Sequence, residues 1–361
     1  MTQGLEVSHS KYAVEFFGAS RLYEGDNLAV LEDLVAESAV KGAVRLIYID
    51  PPFGTGQDFT YSDGRYSTVS RANGGSSAYN DSLTGQPYLD FLRPRLTLLS
   101  ELLAADGSIY VHIDVNMEHD VKVLMDKIFK PGNFRGTITR IKSNPKNFSR
   151  LGYCNIKDSV LFYSKGERFV WHQPRIPFVG GDIERLFPRM DAGGRRYTTT
   201  PLHGPGETKD GPTGQAWKGI NPPKGRHWRY TPDVLTELDE KGLIEWSRTG
   251  NPRKKLYADE VEKTGKLLQD VWDFKDPQYA RYPTEKNLDM LKVIVSASSN
   301  PGDIVLDAFC GSGTTLVAAQ LLGRTWIGID SSRAAIEISR EQSIEALKLK
   351  QSMVAMQTQG K

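Results

Sequence analysis

The chain predicts an α/β fold, a doubly wound and mostly parallel sheet interrupted by an irregular insertion. Three observations lead there. Arg45–Ile49 is a branched and aromatic run, apolar enough for a strand buried on both faces of a parallel sheet, and it runs into Asp50-Pro51-Pro52-Phe53. Far downstream, Asp303–Ala308 reads as another such strand, followed by the glycine-rich turn Phe309-Cys310-Gly311-Ser312-Gly313 and an apolar helix. Between them, residues 171–276 are rich in Pro, Gly, Arg, Lys, Trp and Tyr and lose the regular alternation. With 361 residues, 39% of them hydrophobic and 25% charged, there is room for one large α/β domain plus a smaller one.

In chain order, residues 11–25 read as a hairpin or strand, and Asp26 or Asn27 caps a helix through Leu28, Leu31 and Leu34. The strand ending at Ile49 follows, and Pro51 and Pro52 stop it because neither donates a ladder hydrogen bond. Residues 55–87 have little helical or strand period, and a loop of that length beside a strand end is expected to be a mobile lid. Tyr88–Leu103 carries leucines at helical spacing and is expected to stop at Asp106-Gly107. Ser108–Ile113 is a buried strand, Val121–Phe129 an amphipathic helix, and Gly136–Ile141 and Ser159–Tyr163 are further strands. After the insertion, whose one clear helix is Pro232–Lys241, come helix Asn287–Ser298, strand Asp303–Ala308, helix Thr314–Leu322, strand Thr325–Asp330 and a last helix from Ser332 to about Leu349 with a frayed polar tail.

Bulk properties narrow the function. A net charge of +2 leaves any polyanion contact to local clusters of cations. The two cysteines, Cys154 and Cys310, make neither a disulfide framework nor a metal-ligand spacing, so no metal site and a cytoplasmic setting are expected. The N-terminus lacks an apolar signal core, and no apolar run approaches the ~20 residues of a membrane helix.

Asp50 stands at the carboxyl end of its strand, where open α/β sheets collect ligands. Its carboxylate and the Pro51 carbonyl can accept hydrogen bonds from an exocyclic amino group, with Phe53 stacked on the heterocycle that bears it. Gly54 and Gly56 let the chain turn away without covering them. The bland reading is a proline turn beside an ordinary surface acid. At the second strand, Gly311 and Gly313 allow a tight turn, and Asp330 closes the next strand about twenty residues on, at the position that takes ribose hydroxyls. Leu316 replaces the third glycine of a dinucleotide fingerprint. A nucleoside with a small zwitterionic tail, such as S-adenosyl-L-methionine, therefore fits better than a pyrophosphate, the alternative being a βαβ turn with no ligand.

Motif for motif, the chain resembles the β-class amino-methyltransferases of DNA, a circularly permuted group with its catalytic motif ahead of its cofactor motif. Asp50-Pro51-Pro52-Phe53 matches the group's [DNS]PP[YFW] motif, Asp307–Thr315 its FxGxG loop, and Arg281-Tyr282-Pro283-Thr284-Glu285-Lys286 its YPT-x-K motif, which contacts the methionine end of the cofactor. Gly25–Leu28, Gly107–Asp114 and Lys127–Phe134 resemble further family stretches. Asn287 stands where the family usually has proline. The resemblance implies a Rossmann-like methyltransferase sheet with a catalytic half (1–170), a target-recognition region (171–276), a cofactor half (277–340) and a C-terminal helix and tail (341–361).

It further implies methyl transfer from S-adenosyl-L-methionine to the N6 of a flipped-out adenine in double-stranded DNA, with Asp50, Pro51, Pro52 and Phe53 catalytic. Asp26, Pro283, Thr284, Lys286, Asp307, Phe309, Gly311, Ser312, Gly313, Thr314, Thr315 and Asp330 would hold the cofactor. Asp at position 50 resembles the adenine-N6 branch more than the cytosine-N4 branch. Relatives are often dimers, so a homodimer is one expected assembly, and a restriction or defence-system partner is another. From charge interleaved with Trp and Tyr, DNA contacts are expected at Arg140, Lys142, Lys146, Arg195, Arg196, Lys218, Arg226 and Arg229, with Arg65 and Arg71 in the lid. His112 is read as a packing residue and Trp272 as an anchor for the insertion. The competing classes are a cytosine-N4 enzyme, a catalytically idle DNA-holding subunit, and a nicotinamide dehydrogenase, which leaves the Asp50–Phe53 motif unexplained.

Overall fold

The structure is a computed structural model describing residues 11–52, 58–62, 65–68, 76–80, 83–144, 151–277 and 285–359; of the segments between 58 and 80, and of 353–359, it describes the backbone alone. Contacts gather the chain into two compact units, one built from residues before Arg175 and after Leu268, the other from Arg175–Leu268.

The first unit is organised on a nine-stranded sheet. In chain order its strands are β1 (Tyr12–Phe17), β2 (Ser20–Gly25), β3 (Val44–Ile49), β4 (Leu103–Ile113), β5 (Phe134–Ile141), β6 (Lys157–Ser164), β7 (Val271–Trp272), β8 (Ile304–Asp307) and β9 (Thr325–Asp330). Its principal helices are α1 (Asn27–Ala36), α2 (Gln86–Leu102), α3 (Glu118–Phe129), α4 (Leu288–Ser298), α5 (Thr314–Leu321) and α6 (Arg333–Gln359). Across the sheet the order is β1-β2-β9-β8-β3-β4-β6-β5-β7. The five strands from β2 to β4 run parallel. β6 runs antiparallel to both of its neighbours, and β1 antiparallel to β2.

Central strands show the double burial their composition predicts: from Leu46 to Ile49 every residue of β3 is buried. Ile47, Ile49, Val111 and Leu306 join Leu92, Leu96 and Leu99 of α2 in the main core. Helix starts follow local chemistry. Asp26 Oδ1 accepts from Leu28 N at 3.1 Å to cap α1, and Asn287 Oδ1 accepts from Asp289 N and Met290 N to cap α4. Asn287 therefore opens a helix at the place where the family usually has proline.

Four expectations change. Asp106-Gly107 does not end a helix but lies inside β4, which follows α2 directly; a Cβ on Gly107 would meet Val44 O at 2.9 Å, so close approach of β3 is what demands glycine there. The segment expected to lack strand period pairs 58–62, 65–68 and 76–80 into a small antiparallel sheet, with Phe59 opposite Thr68 and Tyr61 opposite Tyr66. The strands are runs of only four or five residues with one or two aromatics each, too short to register as a period. The last helix reaches Gln359 rather than stopping near Leu349. The inserted region, expected to be irregular and mostly non-core, has a four-stranded antiparallel sheet and its own cluster of Leu202, Trp217, Trp228, Leu235 and Ile244. Among the described residues no helix is long and apolar enough to cross a membrane.

Candidate functional site

Five adjacent parallel strands each deliver an aspartate at their carboxyl edge: Asp26 after β2, Asp330 ending β9, Asp307 ending β8, Asp50 after β3 and Asp114 after β4. The Asp50 corner and the 309–313 turn are thus next-door neighbours, because Ile47 of β3 pairs with Leu306 of β8. This is the crevice position where open α/β sheets bind ligands.

At the acceptor side, Lys286 Nζ lies 2.6 Å from Asp50 Oδ2, with both side chains largely buried. The other oxygen, Oδ1, is buried and accepts no hydrogen bond among the described residues. One oxygen is tied and one is left for a donor. A buried acceptor left unmade is costly, so a donor from outside the chain fits this position.

Beneath Asp50 lies a network that sequence reasoning missed. His112 Nδ1 is 2.7 Å from the Tyr48 hydroxyl and 3.8 Å from Asp50 Oδ1, and His112 Nε2 is 3.0 Å from Asp158 Oδ2. Arg140 Nη1 donates to the same Asp158 oxygen at 3.2 Å, Arg140 Nε to Phe274 O at 2.8 Å, and Nη2 to Asp276. His112 is therefore a member of a buried polar network and not an apolar packing residue. Burial pushes the Asp158 carboxyl up, but His112 and Arg140 outweigh that and hold it down at about 2. Burial followed by the charge of Asp50 pushes the Tyr48 hydroxyl well above its usual value. Each of these contacts crosses strands, so none leaves a local sequence signal.

At the donor side, the turn is held from both ends. Gly313 has φ +83°, and a Cβ there would approach Ser339 Oγ to 2.7 Å, so only glycine fits. Asp330 Oδ2 accepts from Gly311 N at 2.9 Å and its Oδ1 from Ser332 N at 2.8 Å, which leaves lone pairs on both oxygens for hydroxyl donors. Asn27 Nδ2 donates to Ala308 O at 2.8 Å, and Arg95 grips Asn27 Oδ1 at 2.6 Å and Asp26 Oδ1 at 3.0 Å. Arg95, which the sequence did not flag, thus ties Asn27 and Asp26 together beside the turn. Asp307 is buried, accepts from Phe309 N at 3.0 Å, and is pushed up to about 7 by desolvation, with the charges of Asp50 and Asp330 adding to the rise and Thr315 opposing it. Burial also raises Asp330. A cleft with two carboxyls in this condition favours a cationic ligand. Ser312, Thr314 and Thr315 are buried at the start of α5.

The other expected site residues divide. Pro51 and Pro52 follow Asp50 outside any helix or strand, Pro51 buried and Pro52 half-buried. Phe53, Arg71, Lys146, Pro283 and Thr284 lie outside the described residues, and Arg65 is on the strand 65–68. Lys286, expected at the methionine end of the cofactor, is paired with the Asp50 carboxylate. Arg140 must be withdrawn from the DNA contacts, because its side chain is fully buried and three internal acceptors use it. Lys142 Nζ lies 3.7 Å from Asp114. In the second unit, Arg195 is gripped by Asp259 and Glu260, and Lys218 by Asp239, whereas Arg196, Arg226 and Arg229 have no carboxylate partner among the described residues. Trp272 belongs to β7 at the edge of the main sheet.

A family model described as DNA methylase matches residues 44–341. The Type II methyltransferase M.EcaI of Enterobacter cloacae is 44% identical over 313 residues, covering 85% of this chain and 65% of that protein. The Type III restriction-modification enzyme StyLTI Mod subunit of Salmonella typhimurium is 27% identical over 356 residues, 88% of this chain and 52% of its own. The chain thus spans just under two thirds of the first relative and about half of the second. A crystal structure of an M1.HpyAVI-SAM complex aligns at 16% identity over 89% of this chain and 97% of that one, with a TM-score of 0.48.

Proposed function

The chain belongs to the DNA methylase family, matched over more than half its length, and from that premise we propose that it transfers a methyl group from S-adenosyl-L-methionine to the exocyclic N6 of an adenine in double-stranded DNA. The observation that carries this reading is Asp50, with Oδ2 fixed by Lys286 and Oδ1 buried without a donor, on the strand beside the glycine turn.

The residues present suit the cofactor. Asp330 has acceptor capacity for ribose hydroxyls, Gly311 and Gly313 keep the turn tight against a ligand, and the raised carboxyl of Asp307 suits a positively charged one. When bound, S-adenosyl-L-methionine supplies a methyl group made electrophilic by its sulfonium. The chain's own part is positioning, an effect that can amount to about 7–11 kcal/mol of a barrier when reacting atoms are held in near-attack geometry. Asp50 Oδ1 accepts a hydrogen bond from the target amine, which orients the nitrogen lone pair and stabilises the positive charge that grows on it. Lys286 keeps Oδ2 occupied, so the amine meets one oxygen in one orientation. Phe53 would stack on the base, which must leave the duplex to reach a strand end.

Adenine is favoured by the aspartate, rather than serine, at position 50. A restriction–modification setting, the one named for the M.EcaI and StyLTI relatives, is part of this reading, as is grip on DNA by cations of the second unit.

The test is incubation of purified protein with mixed-sequence duplex DNA and S-adenosyl-L-methionine, followed by nucleoside mass spectrometry. N6-methyladenine is expected with the wild type, and none with Asp50→Ala, which should still bind the cofactor. N4-methylcytosine would overturn the choice of base, and an active Asp50→Ala would overturn the role of the carboxylate.

A further inference from the structure

Arg95 is a cation buried beside a cleft that suits a cationic ligand. It rises from α2 with 7% of its surface exposed. Taking a guanidinium out of water is costly unless its donors are used, and here all three nitrogens are. Nε donates to Asn27 Oδ1 at 2.6 Å, Nη2 to Asp26 Oδ1 at 3.0 Å, and Nη1 to Phe91 O at 2.8 Å, one turn back on its own helix. The guanidinium carbon lies over the Phe91 ring, 3.8 Å from its centre, and Phe91 meets Phe309 with ring centres 6.2 Å apart.

Every one of these contacts leads to the donor side of the site. Asn27 continues through Nδ2 to Ala308 O at 2.8 Å, at the head of the glycine turn. Phe91 reaches Phe309, the next residue of that turn. Asp26 is the third branch. Its Oδ1 caps α1 by accepting from Leu28 N at 3.1 Å, and Arg95 settles on the same oxygen. That leaves Oδ2 for a donor from outside the chain, on a side chain that is 62% exposed. Only a planar fork presents separate donors to a carboxylate and an amide on consecutive residues.

Judged by charge alone, the arrangement is a poor one. A guanidinium 3.0 Å from Asp26 offsets the pull of that carboxylate on a cofactor whose sulfonium and ammonium outnumber its one carboxylate. What Arg95 contributes is therefore geometry. We infer that Arg95 is a positioning residue for the cofactor, holding Asp26 with Oδ2 free for a cationic group of the ligand and bracing the turn at Ala308 and Phe309, an assignment that rests on the S-adenosyl-L-methionine-dependent function proposed above.

The test is calorimetric titration of the full chain with S-adenosyl-L-methionine, comparing wild type with Arg95→Met, Arg95→Lys, Asp26→Asn and the double variant Arg95→Met/Asp26→Asn. Arg95→Met should weaken binding about tenfold, the worth of one hydrogen bond to a charged group, even though it deletes a positive charge beside a cationic ligand. Turnover at saturating cofactor should stay within about twofold of wild type while KM for the cofactor rises. Arg95→Lys keeps the charge without the fork and should recover part of the affinity. Because Arg95 acts through Asp26, the double variant should fall well short of the roughly hundredfold loss that independent contributions would give. Arg324 is the control, a buried arginine on Ser299 O and Leu322 O just before β9, at the edge of the sheet away from the turn. Arg324→Lys should lower stability and leave cofactor affinity unchanged. Equal or tighter binding by Arg95→Met, additive losses in the double variant, or a matching loss in Arg324→Lys overturns the positioning role while the wild type still binds and methylates. A wild type that binds no S-adenosyl-L-methionine overturns it together with the proposed function.

Discussion

Replacing Arg140 by methionine should destabilise the first unit by about 3–5 kcal/mol, the range for removing one partner of a buried ion pair. The side chain has no exposed surface, and Asp158, its partner at 3.2 Å, is only 2% exposed. Methionine fills much of the volume, so the loss is chiefly electrostatic: Asp158 would keep only His112, and Phe274 O would lose its donor at 2.8 Å. An independent figure comes from the carboxyl itself. Asp158 is held at about 2 against a usual 3.8, a difference worth roughly 2 kcal/mol of stability near neutral pH. Because the folded value is the lower one, this contribution is present above pH 4 and is lost as pH falls towards 2. Without Arg140 the folded value rises, so acid unfolding should begin at higher pH than in the wild type. Urea unfolding followed by near-ultraviolet circular dichroism, at pH 7.5 and at pH 4.5, measures both effects. The reasoning fails if Arg140→Met is as stable as the wild type at both pH values but binds DNA weakly, the behaviour of a surface cation on a phosphate.

Two further outcomes follow from the donor side. Burial raises Asp307 to about 7, above its value in the unfolded chain, so it favours folding at low pH and opposes it progressively as pH rises from about 4 through 7. A cation bound beside it lowers its value again, so S-adenosyl-L-methionine binding near pH 7 should release part of a proton and tighten as pH rises. Calorimetry in buffers of different ionisation heat measures the release, and none in the wild type would count against Asp307 as a ligand-facing group. Gly313→Ala combines a left-handed backbone with a Cβ 2.7 Å from Ser339 Oγ and 3.1 Å from Ser339 Cα. It should strain the turn by about 1–3 kcal/mol and lower cofactor affinity at least tenfold in equilibrium binding. Unchanged affinity would argue against the turn as the binding loop.

Much of the central sheet was legible because its signals are local. The apolar run ending at Asp50, the glycine turn at 311–313 and the acid at 330 each lie within a few residues of the chain, and their chemistry survives being read in one dimension. His112, Asp158 and Arg140 were misread or passed over for the opposite reason. Each is unremarkable on its own strand, and only the lateral order β4-β6-β5 brings them into line. A basic residue such as Arg140 looks like a surface contact until its neighbours are known. The second unit was hard to read because its strands are two to six residues long and one of them, Pro252–Tyr257, carries three consecutive cations, so the pattern resembles a solvated loop. Its core of tryptophans and leucines comes from positions spread between 202 and 244.

The pairing of Ile47 with Leu306 has a consequence for how the protein is born. Closing a span of roughly 260 residues costs ~5 kcal/mol of chain entropy, and it must wait until the ribosome has delivered β8. Until then the carboxylate corner has β4 on one side and an open strand edge on the other, while Arg175–Leu268 has emerged with a hydrophobic cluster of its own. The carboxylate corner and the glycine turn therefore become neighbours only after all of the intervening chain has been made.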